Sequence, residues 1–167
     1  MAETELRKYA VVEKLNKMAV DSITHSPDIA EATYQTGDLM AEGERITNAV
    51  AVKGGCCILQ SITAVDTSDT GGTIYIIITD DSVDLGTVGS AVNAADAAAD
   101  NSVAIVELSN WTDIGGAKVC SKTNIGLVCS PSSSSKHLYF GVVNSSGGDI
   151  VIGSGEDIIF KFGVVKD

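Results

Sequence analysis

From Tyr34 to its last residue the chain is written almost entirely in strands and turns. Its clearest passage is two long apolar runs, residues 56–65 and 73–80, around a polar tip, Asp66-Thr67-Ser68-Asp69-Thr70-Gly71-Gly72. Tip residues of this kind favour turns, and the pair reads as the strongest hairpin in the sequence. In the first run Cys57, Leu59, Ser61, Thr63 and Val65 share one face, and Cys56, Ile58, Gln60, Ile62 and Ala64 share the other. Both faces are largely apolar, which predicts a central strand covered on each side. Around it fall further candidate strands at 33–37, 45–52, 103–108, 119–120, 125–129, 137–143, 150–152 and 157–165. A short Ala-rich helical turn is expected within 91–99, and a flexible loop over Ser130-Pro131-Ser132-Ser133-Ser134-Ser135. No internal repeat is present. Short strands at regular turn spacing predict an all-β fold, an antiparallel β-sandwich of jelly-roll or Greek-key type.

The preceding residues are different. Residues 3–20 predict an amphipathic helix, with Leu6, Tyr9, Ala10, Leu15, Met18 and Ala19 on one face and no Gly or Pro within it. Ser26-Pro27 disfavours helix just before the proline. The expected organisation is an N-terminal helical arm and linker over 1–33, then a β-sandwich domain over 34–167. A helix of this length is marginal alone in water, so its apolar stripe needs a partner surface.

Charge bounds the function. With 22 acidic against 11 basic side chains the net charge is −11. Arg7, Lys8, Lys14 and Lys17 against Glu3, Glu5 and Glu13 give residues 1–20 a net +1, which leaves −12 on the rest. That balance argues against nucleic acid as a partner, since phosphate binding needs Lys and Arg to displace counterions. Aromatic residues are only 5%, too few for a base-stacking platform. No apolar run approaches a membrane span, and no basic-then-apolar leader opens the sequence, so synthesis in a cytoplasm without membrane insertion is expected. Cys56, Cys57, Cys120 and Cys129 then read as reduced, small core residues.

Reactive constellations are sparse. Asp69-Thr70-Gly71 matches half of an aspartic-protease site, but that chemistry needs two carboxylates sharing a proton, and an ordinary turn explains the triplet. Asp66, Ser68 and Thr70 imitate the start of a calcium loop, yet Ile77 stands where its closing acid belongs. Asp80, Asp81 and Asp84 form an acidic cluster that reads as a solvated loop, with calcium the alternative. Cys56 and Cys57 point to opposite faces of a strand and cannot share a metal, and His25 and His137 are isolated. No Gly-x-Ser-x-Gly elbow is present. The expectation is a protein with no catalytic residues and no cofactor or metal. Trp111, the single tryptophan, is a candidate interface anchor or a core residue.

Tyr34-Gln35-Thr36-Gly37-Asp38, Asn48-Ala49, Gly54-Gly55, Leu59-Gln60-Ser61, Asp66 and the closing Phe162-Gly163-Val164-Val165-Lys166-Asp167 follow one another in an order that resembles the capsid decoration (cement) proteins of tailed bacteriophages. The likeness covers residues 34–167. It departs where such proteins carry Phe-Asp-x-x-x-Thr and this chain has Asp80-Asp81-Ser82-Val83-Asp84. The resemblance implies a β-sandwich subunit on the outside of the phage head. Its implied partners are the major capsid protein and two further copies of itself in a homotrimer. Leu6, Tyr9, Leu15, Met18 and Trp111 are the expected interface residues. The competing reading is a carbohydrate-binding or adhesion module in which Trp111, Tyr34 and Tyr139 supply stacking faces.

Overall fold

The computed structural model describes residues 19–153, 155 and 157–166. It is built of antiparallel sheets with almost no helix. The first sheet has the order β1 (Ala19–His25), β11 (Ile158–Lys166), β4 (Cys57–Asp66), β8 (Lys118–Cys129), β7 (Thr112–Asp113). The second runs β3 (Leu39–Ile46), β9 (Leu138–Asn144), β5 (Ile74–Thr79), β6 (Ser102–Leu108). Among the described residues a ribbon of β2 (Ala32–Tyr34) and β10 (Ile150–Ile152) completes the strands, and one short helix, α1, spans Asp96–Ala99.

The inner faces of the two sheets share one core. Phe140 on β9 meets Phe160 and Phe162 on β11 edge-on or tilted, with ring centroids 5.5 and 5.0 Å apart. Leu59 and Ile62 from the first sheet and Ile76, Ile78 and Val142 from the second are fully buried around them. Mostly aliphatic side chains, with Met40 and three cysteines, fill the remainder, in keeping with the low aromatic content. Strand β9 is buried along its whole length. Its outer side is covered by the connection after β5, where Leu85 packs with Leu39, Ile77 and Val143 in a second small cluster. Gly141 makes room for this, because a Cβ there would run into Leu85.

The expected hairpin between residues 56–65 and 73–80 does not form. β4 pairs with β11 and β8, while β5 pairs with β9 and β6. The polar tip crosses between sheets. Both runs are apolar because each is an inner strand of its own sheet. The expected cover on both sides of β4 is not complete, because the buried positions alternate with half-buried ones. Cys57 and Leu59 are buried, then Ile62, Ala64 and Asp66. Register shifts opposite Leu59/Ser61 and Gly163/Val164 mark a bulge there, and one extra residue exchanges the two faces.

Two further expectations change. The two short strands around 121–124 are one 12-residue strand, β8, whose polar middle is exposed. Residues 19–25, read as the helix end and linker, are a strand paired with β11 from Ala19↔Lys166 to His25↔Phe160. Ile23 and His25 turn partly inward while Ser22 and Thr24 are exposed, a period-two pattern hidden beneath the helical one. The rest of the expected helical arm lies outside the described residues.

Candidate functional site

Most of the residues singled out from sequence hold turns. The Asp66 carboxylate is buried and accepts hydrogen bonds from the Ser68 amide (2.9 Å), the Ser68 hydroxyl (2.6 Å) and the Gly71 amide (2.8 Å). Lys118 donates to the Asp69 and Thr70 carbonyls at 2.6 and 3.2 Å. The Asp69-Thr70-Gly71 triplet is therefore a capped crossing between sheets, with Asp69 and Gly71 both at positive φ. Tyr34 is buried and donates to the Ala30 carbonyl; burial raises its phenol above the usual value. Asp38 accepts from the Gln35 amide at 2.7 Å, and Gly37 takes φ +93°. Asn144, fully buried, ties this turn down. Its Nδ2 donates to the Tyr34 and Gly148 carbonyls at 2.7 and 2.9 Å, and its backbone carbonyl accepts from the Gly37 amide at 2.7 Å.

The acidic cluster is not gathered into a site. Asp81 accepts from the Ser82 amide and Asp84 from the Gly86 amide, each in its own local turn. Among the described residues no three His, Cys, Asp or Glu side chains stand close enough to hold a metal. All four cysteines are thiols. Cys57 and Cys129 face each other across β4 and β8, and the Cys57 thiol hydrogen-bonded alongside, with burial, drives the Cys129 thiol far above the ordinary range. His25 Nε2 lies 2.5 Å from Glu44 and its ring stands edge-on to Phe140, so it closes the β1–β3 side of the core.

The expected interface residues Leu6, Tyr9, Leu15 and Met18 lie outside the described residues. Trp111 is half-buried, packs against the core and keeps its indole N–H buried without a hydrogen-bond partner among the described residues. Tyr34 and Tyr139 are buried, and Arg45 lies over the Tyr139 ring at 5.8 Å. Of the three aromatics expected to stack on a sugar, Tyr34 and Tyr139 are thus buried and Trp111 is half-buried.

Two surface features were not read from the sequence. The first is an open cleft of about 440 Å³ whose lining includes Arg45, Lys53, Lys136, His137 and Ser132, with Asp81 as its carboxylate. Two loops build it. The Val50 and Gly54 amides donate to the Lys136 and Ser135 carbonyls at 3.3 and 3.1 Å, and Lys136 Nζ donates to the Ala51 carbonyl at 2.6 Å. The Ser132 amide donates to the Asp80 carbonyl at 3.3 Å. The serine run expected to be a flexible loop is thus bonded on both sides. Its cations come from positions 45, 53 and 136, too scattered for any sequence pattern; only the Lys136-His137 pair after the serines hinted at it. The second feature is strand β6. Among the described residues it pairs only with β5, so its far edge is open, and Ile105 is 63% exposed there. A groove lined by Ile105, Ile125 and Leu127 runs between this edge and β8.

No family model matches the chain, and no curated protein matches it. Among solved structures it is similar to one described as the capsid of Ralstonia phage GP4, at 18% identity and a TM-score of 0.42, over 90% of this chain and 85% of that one.

Proposed function

We propose that the chain is a decoration (cement) protein of a tailed-phage head. It is a β-sandwich subunit that binds the outer surface of the assembled shell through the major capsid protein, associates as a homotrimer, and catalyses nothing. The observation that carries this reading is where the residues of the cement-protein pattern fall. Tyr34, Gly37, Asp38, Asp66 and Gly163 each hold a turn, a buried polar network or the bulge opposite Ser61. The residues of the pattern are those that fix this fold, which is what a shared architecture requires.

The mechanism is mechanical. A subunit spanning joints between capsid proteins adds contacts where the shell opens under internal pressure. A trimer multiplies weak contacts through effective concentration. The open β6 edge carries one charge, Glu107, and neither Lys nor Pro, so it lacks the usual guards against strand pairing. Subunit association would cover it. The arm expected from sequence before β1 would reach the shell, and an apolar stripe on it would be buried on docking at roughly 25 cal/mol per Å² before ordering costs. The acidic remainder keeps the particle soluble.

Light scattering on the full chain gives about three times 17.2 kDa on this reading. Co-sedimentation with emptied shells of the cognate phage shows saturable binding, and deletion of residues 1–18 weakens it while leaving the sheets folded. A folded chain that neither associates nor sediments with shells refutes the proposal.

A further inference from the structure

In a body carrying −12 outside its first 20 residues, three cations share one cleft. The ion pairs among the described residues are His25–Glu44, Lys118–Asp69 and Lys166–Asp21. Arg45, Lys53 and Lys136 take part in none of them. Three cations against the single carboxylate of Asp81 leave the cleft net positive, and the fold organises this arrangement although like charges repel. Lys136 is anchored by the Ala51 carbonyl, and the guanidinium of Arg45 lies over Tyr139. The Asn48 amide donates to His137 Nδ1 at 3.0 Å, which selects the tautomer with its hydrogen on Nε2 and leaves that N–H as a donor. Asp81 is exposed, and its Oδ1 is engaged by the Ser82 amide.

We infer that this cleft binds a short acidic peptide segment of a protein partner through its carboxylates. Arg45 presents the forked donors that match a carboxylate, and Lys53 and Lys136 add charge at either side. The cleft is open and has the size of a few side chains rather than of an enclosed small-molecule site. A nucleic-acid strand fits the charge of the cleft but not that of the body, because its phosphates continue past the cleft onto acidic surface. A segment of a few residues ends before it reaches that surface. The inference stands apart from any role at a capsid, since it rests on the cleft alone.

The test uses the full-length chain, backbone amide NMR and a capped hexaglutamate peptide as probe. Shift changes are expected in residues 48–55 and 132–137. Raising salt from about 0.02 to about 0.2 M should weaken binding at least tenfold, because exposed charges are screened. Lys53→Glu should weaken it about tenfold, and Arg45→Gln similarly, since each removes one charge-assisted contact. Lys161→Glu, at an exposed position of β11 that does not line the cleft, makes the same change in net charge and should leave affinity within about twofold, because it lies outside the local field. The inference fails if those amides do not shift. It fails equally if Lys161→Glu weakens binding as much as Lys53→Glu, or if inorganic phosphate or an oligothymidylate binds as tightly as the peptide.

Discussion

Replacing Asn144 by aspartate changes one atom and no volume, and it should be among the most damaging surface-neutral substitutions in the chain. Asn144 is 0% exposed. Its Oδ1 accepts from the Ser146 amide and hydroxyl at 2.9 and 2.7 Å, and aspartate keeps both bonds. Its Nδ2 donates to the Tyr34 and Gly148 carbonyls, and an ionised carboxylate turns both contacts into repulsions between acceptors. The variant escapes by binding a proton, which restores one donor. Starting from an ordinary carboxyl near 3.9, that costs about 4 kcal/mol at pH 7, and one carbonyl is still left unpaired. A loss of about 3–5 kcal/mol at pH 7 is therefore expected from urea denaturation followed by Trp111 fluorescence. The folded-state pKa of the introduced group lies above its unfolded value. Stability relative to the parent is then recovered as pH falls, by up to about 1.4 kcal/mol per unit between pH 7 and pH 5, and lost again as pH rises. A loss below about 1 kcal/mol, or one that ignores pH, would refute the role assigned to this side chain.

Three other outcomes are expected. The Lys166 ammonium, 2.7 Å from Asp21, holds that carboxyl below its usual 3.8, so the pair stabilises the β1–β11 contact above that value and its contribution is lost as pH falls through the lowered one. An NMR titration should show the Asp21 midpoint rising in Lys166→Met, and an unmoved midpoint would remove the pair from the account. With an aromatic disulfide reagent the native chain should react quickly at Cys56 alone, and Cys57, Cys120 and Cys129 should follow only on unfolding, because they are buried and the last two are held up as thiols. Gly54→Ala places a Cβ 3.1 Å from the Ser133 backbone at φ +67°, and should cost about 1–2 kcal/mol in thermal or urea unfolding.

The antiparallel all-β class was legible because alternation and turn chemistry are local. Gly37, Asn48, Asp69, Gly71 and Gly147 all stand at positive φ in turns, as their residue types suggest. What lies beyond a turn was not legible. The tip at 66–72 has the composition of a hairpin loop, and nothing within it says whether the next strand pairs with the last or crosses to the other sheet. The β4 bulge is invisible for a similar reason: Gln60 and Ser61 fit either face, and the register shift becomes visible only against β8 and β11. β1 was hidden by its own residues, since Ala19 continues a helical stripe while Ile23 and His25 begin a strand pattern. The basic cleft was the least legible feature. Its cations converge only because the 48–55 and 132–136 loops are bonded together, a contact across more than 80 positions of sequence.

Fold and recognition are consequently written in different residues. The positions that carry the cement-protein pattern are buried or conformationally constrained: Tyr34 and Asp66 by their hydrogen bonds, Gly37 and Gly54 by positive φ. The cations of the cleft are none of these. Lys53 and Gly54 are neighbours and make the contrast directly. Gly54 sits against the Ser133 backbone and cannot gain a methyl group without moving the loop. Lys53 is exposed and makes no ion pair among the described residues, so reversing its charge costs the fold almost nothing. A chain organised this way can keep its sheets and exchange its partner by surface substitution alone. Its pattern therefore reports architecture, while exposed side chains such as Lys53 are free to vary without cost to the sheets.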